Sequence, residues 1–166
     1  IRDENPDVVF LMEVNDTWME ALQDALSAYD VVVSEPKDNY YGMVFATRLK
    51  ANAAEIVYIT NDDTPTMLAE LEAHDGSPFR FLGLHPRPPV PGEDTVARDA
   101  QLAYAARFGK VEDIDLVVMG DFNDVVWSQK SLYFKRVGGY LDPRIGRGFI
   151  SSFHAKYPLM RFPIDH

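Results

Sequence analysis

Apolar and polar residues come in blocks along this chain, and the blocks have the lengths of strands and helices. Pro6-Asp7-Val8-Val9-Phe10-Leu11-Met12 is a short β-forming run that predicts a buried strand. Asn15-Asp16-Thr17 supplies N-cap residues. Trp18, Leu22, Ala25, Leu26 and Tyr29 follow at helical spacing and predict a helix over 17–28. A brief strand at Val31-Val32-Val33 leads to a polar loop over 36–41. Two strands, 42–47 and 54–59, are expected around a turn near 49–53. A hairpin over 66–73 and 78–84 should turn at His74-Asp75-Gly76-Ser77, because Asp-Gly accepts the backbone of a tight turn. Pro86, Pro88, Pro89 and Pro91 exclude regular structure between 86 and 92. A helix over 94–108 is expected on Val96, Ala100, Ala103, Tyr104 and Phe108, ending at Gly109. A buried strand over 115–119, a short helix over 128–137 and the start of a strand at 162 complete the pattern. With no internal repeat and no low-complexity tract, this order predicts a mixed α/β domain with helices packed outside sheets.

Composition narrows the possibilities. The chain has 166 residues, 46% of them hydrophobic, enough for one core and too few for two. It has no cysteine, which excludes a disulfide scaffold, a cysteine zinc site, an iron–sulfur cluster and a thiol nucleophile, and fits cytoplasm or periplasm equally. No apolar run approaches membrane-spanning length, and no secretory-type segment opens the chain. Hydrophobic sequence starts almost at Ile1 and runs almost to His166, so the expectation is a single domain over 1–166 trimmed at both ends.

The net charge of −10 is unevenly spread. Residues 1–124 carry 24 acids and 9 bases, whereas 125–166 carry 2 acids and 7 bases. An acidic protein is a poor nonspecific binder of nucleic acid. The basic tail (Lys130, Lys135, Arg136, Arg144, Arg147, Lys156, Arg161) mildly favours an anionic polymer or membrane surface; singly, these residues read better as a solvated face.

Four predicted strands end in a residue able to bind a metal or move a proton. Glu13 follows Met12, His85 follows Leu84, Asp121 and Asn123 follow Met119 through Gly120, and Asp165 follows Ile164. Any one of these is an ordinary strand end. Together they suggest side chains converging on one rim of a sheet. Glu13 and Asp121 are hard oxygen donors suited to Mg²⁺ or Mn²⁺. Asn123 can hold a phosphate oxygen or a water, and His85 can exchange a proton or donate to a phosphate near neutral pH. Arg87, in the proline-stiffened loop, is placed to meet an anionic substrate. His74 reads as an exposed turn residue, and His154 as a packed loop residue. No P-loop, G-x-G-x-x-G, H-E-x-x-H or G-x-S-x-G motif is present.

These residues resemble the motifs of the endonuclease/exonuclease/phosphatase superfamily, which has the deoxyribonuclease I-like fold. Residues 6–14 are similar to its "PDV-hydrophobic-QE" strand, and 42–48 to its "G-x-hydrophobic-S-R" strand. Leu84-His85-Pro86-Arg87-Pro88 resembles its H-x-x-P motif, Gly120-Asp121-Phe122-Asn123 its GDFN motif, and Phe162-Pro163-Ile164-Asp165-His166 its "PIDH" strand. All five occur in the family's order.

The resemblance implies two mixed sheets packed together with helices on both outer faces, lacking the first and last strands. It implies Glu13 as main metal ligand and His85 as a catalytic histidine at the phosphate. Asp121 would orient or activate the water, Asn123 would hold water or phosphate, and Asp165 would orient a second histidine from an S-D-H motif. Two departures stand out. Met12 occupies the usual glutamine position, and the chain contains no S-D-H motif, a role His166 does not fill.

The reaction implied is Mg²⁺- or Mn²⁺-assisted attack of water on a phosphodiester or phosphomonoester, weak or absent in this chain by itself. Its substrate would be a nucleic acid or a phospholipid or inositol-phosphate head group, with no obligate protein partner. The H-P-R-P-P form of the motif resembles a bacterial subgroup with an upstream membrane anchor. The alternatives are a non-catalytic module on the same fold and a metal-independent nucleotide-binding domain. Retention of Glu13, His85, Asp121, Asn123 and Asp165 argues against the first, and the missing glycine-rich loop against the second.

Overall fold

The computed structural model describes residues 1–60, 63–88, 95–108, 114–147, 153 and 163–166. Strand β1 (Val8–Met12) leads into helix α1 (Asp16–Leu26), then β2 (Val31–Glu35) and β3 (Met43–Thr47). Next come β4 (Lys50–Val57), β5 (Thr66–Glu72) and β6 (Pro78–Leu84), then α2 (Val96–Phe108), β7 (Asp115–Gly120) and α3 (Gln129–Gly138). The first sheet has the order β1-β3-β2, paired antiparallel. The second has the order β4-β5-β6-β7, antiparallel up to β6 and parallel between β6 and β7. The fold is α/β and consistent with the deoxyribonuclease I-like architecture.

Side-chain alternation along the strands stacks the layers. Val9, Val44 and Ala46 face α1 and pack with Leu22 and Leu26. Their neighbours Val8, Phe10, Met43 and Phe45 face the other way, onto Met67, Ala69, Leu71 and Phe81 of the second sheet. Leu82 and Leu84 face outward again, against Leu102, Ala105 and Ala106 of α2 and Phe134 of α3. Phe45 and Phe81 are fully buried with ring centroids 5.0 Å apart; truncating either to alanine would cost about 3–5 kcal/mol. Among the described residues no helix is long and apolar enough to cross a membrane.

Local signals account for most element ends. The Asn15 side chain accepts from the Trp18 N–H at 3.1 Å and caps α1. Ser128 caps α3, which closes on Gly139 in the left-handed conformation. The hairpin turns where expected, with Gly76 at φ 85° and Ser77 N–H donating to Asp75 at 2.9 Å.

Three sequence expectations need correction. The turn expected near 49–53 is confined to Arg48 and Leu49, because β4 already begins at Lys50 and absorbs Asn52 as an irregularity between Ala51 and Ala53. The two strands flanking that turn belong to different sheets. In α2 the buried side is Gln101, Leu102, Ala105 and Ala106, while Val96 and Tyr104 are exposed. An alanine-rich helix satisfies apolar spacing on more than one face, and the small Ala105–Ala106 side permits closest approach to the sheet. Finally, β7 is only partly buried, on the side of Leu116 and Val118. Phe10 of β1 meets Phe81 and lies against Gly83 of β6, but Val117 and Met119 on β7 remain exposed. Gly92, Asp94, Gly109, His154, Lys156 and Arg161 lie outside the described residues.

Candidate active site

Three strands end together on one rim where the two sheets meet. The Asp121 N–H, just past β7, donates to the Met12 sulfur at the end of β1, at 3.3 Å. Gly120 pairs with Leu84 at the end of β6, and a Cβ on Gly120 would overlap the Leu84 carbonyl oxygen. Only glycine, here at φ 147°, permits that approach. The terminal segment then closes the rim. His166 exchanges two backbone hydrogen bonds with Gly120, at 2.9 and 3.1 Å, and Phe122 N–H donates to Ile164 at 3.1 Å. Asp165 thereby stands opposite Asp121.

The side chains sit as follows. Glu13 is exposed, directly after β1. The Asp121 carboxylate accepts from the Asn123 N–H at 2.7 Å, and the Asn123 amide donates to the Pro86 carbonyl at 2.9 Å, tying the GDFN turn to the loop after His85. Burial raises the Asp121 carboxyl to about 6 against that hydrogen bond, with Asp165 and Glu13 adding like charge. Charge repulsion thus links three carboxylates of the predicted set. Among the described residues, however, no three His, Cys, Asp or Glu side chains are placed to hold a metal together.

His85 is almost wholly buried, and its Nδ1 has no hydrogen-bond partner. Burial holds its pKa below the usual imidazole range, with Asp165 opposing. Burial thus favours the neutral ring, which keeps one nitrogen able to donate. Arg87 is held by an ion pair to Asp63 but remains half exposed. Its guanidinium lies 5.2 Å from the centroid of Tyr41, a ring that packs 5.4 Å from His85.

Three non-glycine residues hold left-handed backbone here: Glu13 at φ 60°, Tyr40 at 68° and Asn123 at 49°. The Glu13 turn is braced by reciprocal contacts. Val14 N–H donates to Gly42 at 3.1 Å and the Val14 carbonyl accepts from Lys37 at 3.0 Å.

Among the described residues, other histidines and bases make contacts away from this set. His166 stacks on Phe122 at 4.2 Å, nearly parallel. Burial drives its pKa to about 4, and its Nε2 lies 3.3 Å from the Asp124 carbonyl. His74 is exposed and pairs with Asp7. Lys130 pairs with Asp99, and Lys135 and Arg144 with Asp142. A groove of about 680 Å³ runs along β7, but none of Glu13, His85, Arg87, Asp121, Asn123 or Asp165 lines it. Sequence reasoning missed Tyr41, Asp63 and Asn39. The tyrosine pair before Gly42 was the only available signal; Asp63 carried none.

The model of the Endonuclease/Exonuclease/phosphatase family matches residues 1–166. No curated protein matches the sequence. The fold is similar to D. rerio TDP2 complexed with a single-strand DNA product, at TM-score 0.70 and 18% identity, over 99% of this chain and 70% of that one. It is similar to sphingomyelinase C from Streptomyces griseocarneus, at TM-score 0.64 and 20% identity, over 84% of this chain and 59% of that one. It is also similar to the human nocturnin catalytic domain with bound sulfate, at TM-score 0.61 and 21% identity, over 81% of this chain and 58% of that one.

Proposed function

The chain belongs to the endonuclease/exonuclease/phosphatase family, and from that premise we infer that it hydrolyses a phosphoester with a divalent cation at this rim. The observation that carries the reading is Asp121, a partly buried carboxylate set against the charges of Glu13 and Asp165 beside Asn123 and His85. The donor set fits Mg²⁺ or Mn²⁺ held by Glu13, with Asp121 beside it, since Mg²⁺ is commonly bound by one or two carboxylates and several waters. When bound, such an ion polarises the phosphoryl group and neutralises charge on it.

The chain's own residues do the rest. Asp121 is the acceptor for a proton of the attacking water, and a carboxyl that titrates near 6 is matched to that task near neutral pH. Asn123 is fixed by Pro86 and stands where it can hold water or a phosphate oxygen. His85 in its neutral form donates to a phosphoryl oxygen, and Asp165 favours extra positive charge on it. Arg87, half exposed, offers positive charge to the anionic substrate. The DNA-bound TDP2 and the sphingomyelinase support nucleic acid and phospholipid head groups as the substrate classes to test first.

The test is hydrolysis of bis(p-nitrophenyl) phosphate, a single-stranded oligonucleotide and sphingomyelin, with calorimetric titration of Mg²⁺ in parallel. We expect Mg²⁺-dependent turnover of at least one substrate, weak in this chain by itself and abolished by Asp121→Ala, and Mg²⁺ heats lost in Glu13→Ala. Equal Mg²⁺ heats in Glu13→Ala and the unmodified protein would refute the metal assignment. Turnover insensitive to Asp121→Ala would refute the assignment of the site.

A further inference from the structure

Asp63 belongs to no motif, yet it sits at the centre of a network beside His85. One carboxylate oxygen takes the Arg87 guanidinium and the other accepts from the Asn39 amide at 2.7 Å. The Asp63 backbone carbonyl accepts from Lys37 Nζ at 2.9 Å. Asn39 in turn accepts from the Tyr41 N–H at 3.1 Å. Arg87 lies over the Tyr41 ring, and that ring contacts the His85 imidazole. Asp63 therefore holds Tyr41 twice, through its backbone by way of Asn39 and through its ring by way of Arg87. Asp63 ties together three sequence-distant segments (37–41, 63 and 85–87) through its carboxylate and its backbone carbonyl.

His85 needs such support. Its buried Nδ1 makes no hydrogen bond, so no polar partner at that atom fixes the rotation of the ring, as a second carboxylate or carbonyl commonly does for a working histidine. Packing must set the orientation instead, and Tyr41 is the aromatic surface in contact. The Glu35–Lys37–Tyr58 cluster stiffens the same loop. Lys37 Nζ donates to Tyr58 at 2.6 Å, and Tyr58 to Glu35.

We propose that Asp63 is a positioning residue which, through Arg87 and Asn39, clasps Tyr41 against His85 and so sets the angle at which the imidazole meets the phosphate. This rests on the hydrolase reading above. The ion pair is half exposed on both sides, so its removal should leave the fold intact.

The test uses Asp63→Ala, Asp63→Asn and Tyr41→Leu, with kinetics on bis(p-nitrophenyl) phosphate at saturating Mg²⁺. In parallel, the His85 Cε1 proton is followed by NMR, assigned by its loss in His85→Gln. For Asp63→Ala we expect kcat to fall about tenfold with KM within about twofold, since a small rotation of an acid–base group acts mainly on the chemical step. Asp63→Asn keeps one acceptor oxygen and should fall between the two. The His85 resonance should move in the same direction in Asp63→Ala and Tyr41→Leu, because both release the tyrosine ring. An unmoved His85 resonance in Asp63→Ala overturns the clasp, and so does an unchanged kcat. If the wild-type chain turns over no substrate, the hydrolase reading fails separately, and the His85 resonance alone decides the clasp.

Discussion

Asp121→Asn isolates the electrostatic tension at the rim. In the folded chain the Asp121 carboxyl titrates near 6 rather than its ordinary 3.8, first because it is buried and then because Asp165 and Glu13 repel its charge. A raised carboxyl makes the native state bind a proton that the unfolded state has released. Stability therefore falls as pH rises from 3.8 to about 6, and the penalty is full above that. Taken at face value the gap is about 3 kcal/mol, but the side chain is partly open to water, and about 1–2 kcal/mol is the expected effect. Asparagine keeps the oxygen that accepts from the Asn123 N–H and loses only the charge. The assay is urea unfolding followed by the fluorescence of Trp18 and Trp127, from pH 3.5 to 7.5 without divalent ions. Asp121→Asn should match the wild type at pH 3.5 and exceed it by about 1–2 kcal/mol at pH 7.5. Millimolar Mg²⁺ at pH 7.5 should then stabilise the wild type and narrow the gap. A stability difference that does not change with pH would refute the reasoning.

Three further outcomes are expected. In Gly42→Ala the new Cβ would overlap the Val14 carbonyl and stand 2.5 Å from the Lys37 nitrogen; the fold should lose about 2–4 kcal/mol and Mg²⁺ affinity should fall with it, so a loss below about 0.5 kcal/mol contradicts the packing. His166 has its pKa depressed to about 4 by burial, so its contribution is complete above 6.5 and is lost as pH falls toward 4. His166→Phe keeps the stack on Phe122 and should lose about 1–2 kcal/mol less than the wild type between pH 7.5 and 4.5; equal acid sensitivity would show that the ring is not held neutral. Met12→Gln replaces a sulfur acceptor with an amide oxygen for the Asp121 N–H, and stability should stay within about 1 kcal/mol in urea unfolding. A tenfold loss of Mg²⁺ affinity in that variant would mean that the sulfur contact has another role.

Much of this molecule can be read from its sequence, for identifiable reasons. The strands and helices follow from local periodicity and from caps such as Asn15 and Ser128, which act within a few residues. Glu13, His85 and Asp121, with Asn123 close behind, were legible because each follows a strand directly, and Asp165 because it follows an apolar run; ends of strands with like direction share a rim. What stayed hidden depends on pairing at a distance. Nothing local says that β3 and β4 part into different sheets, or that β7 leaves Val117 and Met119 exposed. The working side of α2 is ambiguous wherever alanine fills several faces. Arg87 was visible as a cation, but its partner was not, because Asp63 looks like any other loop aspartate until the fold brings residues 39, 63 and 87 together.

The left-handed residues around the rim bear on how this protein would answer directed evolution. Glu13, Tyr40 and Asn123 each hold a backbone that side chains disfavour, at about 1 kcal/mol or more apiece. A screen for heat resistance alone rewards relief of that strain, and glycine at any of the three supplies it. Two of these positions carry the carboxylate and the amide on which the proposed chemistry depends. Such a screen would drift toward a more durable sandwich with a blunted rim, so durability and turnover have to be selected together.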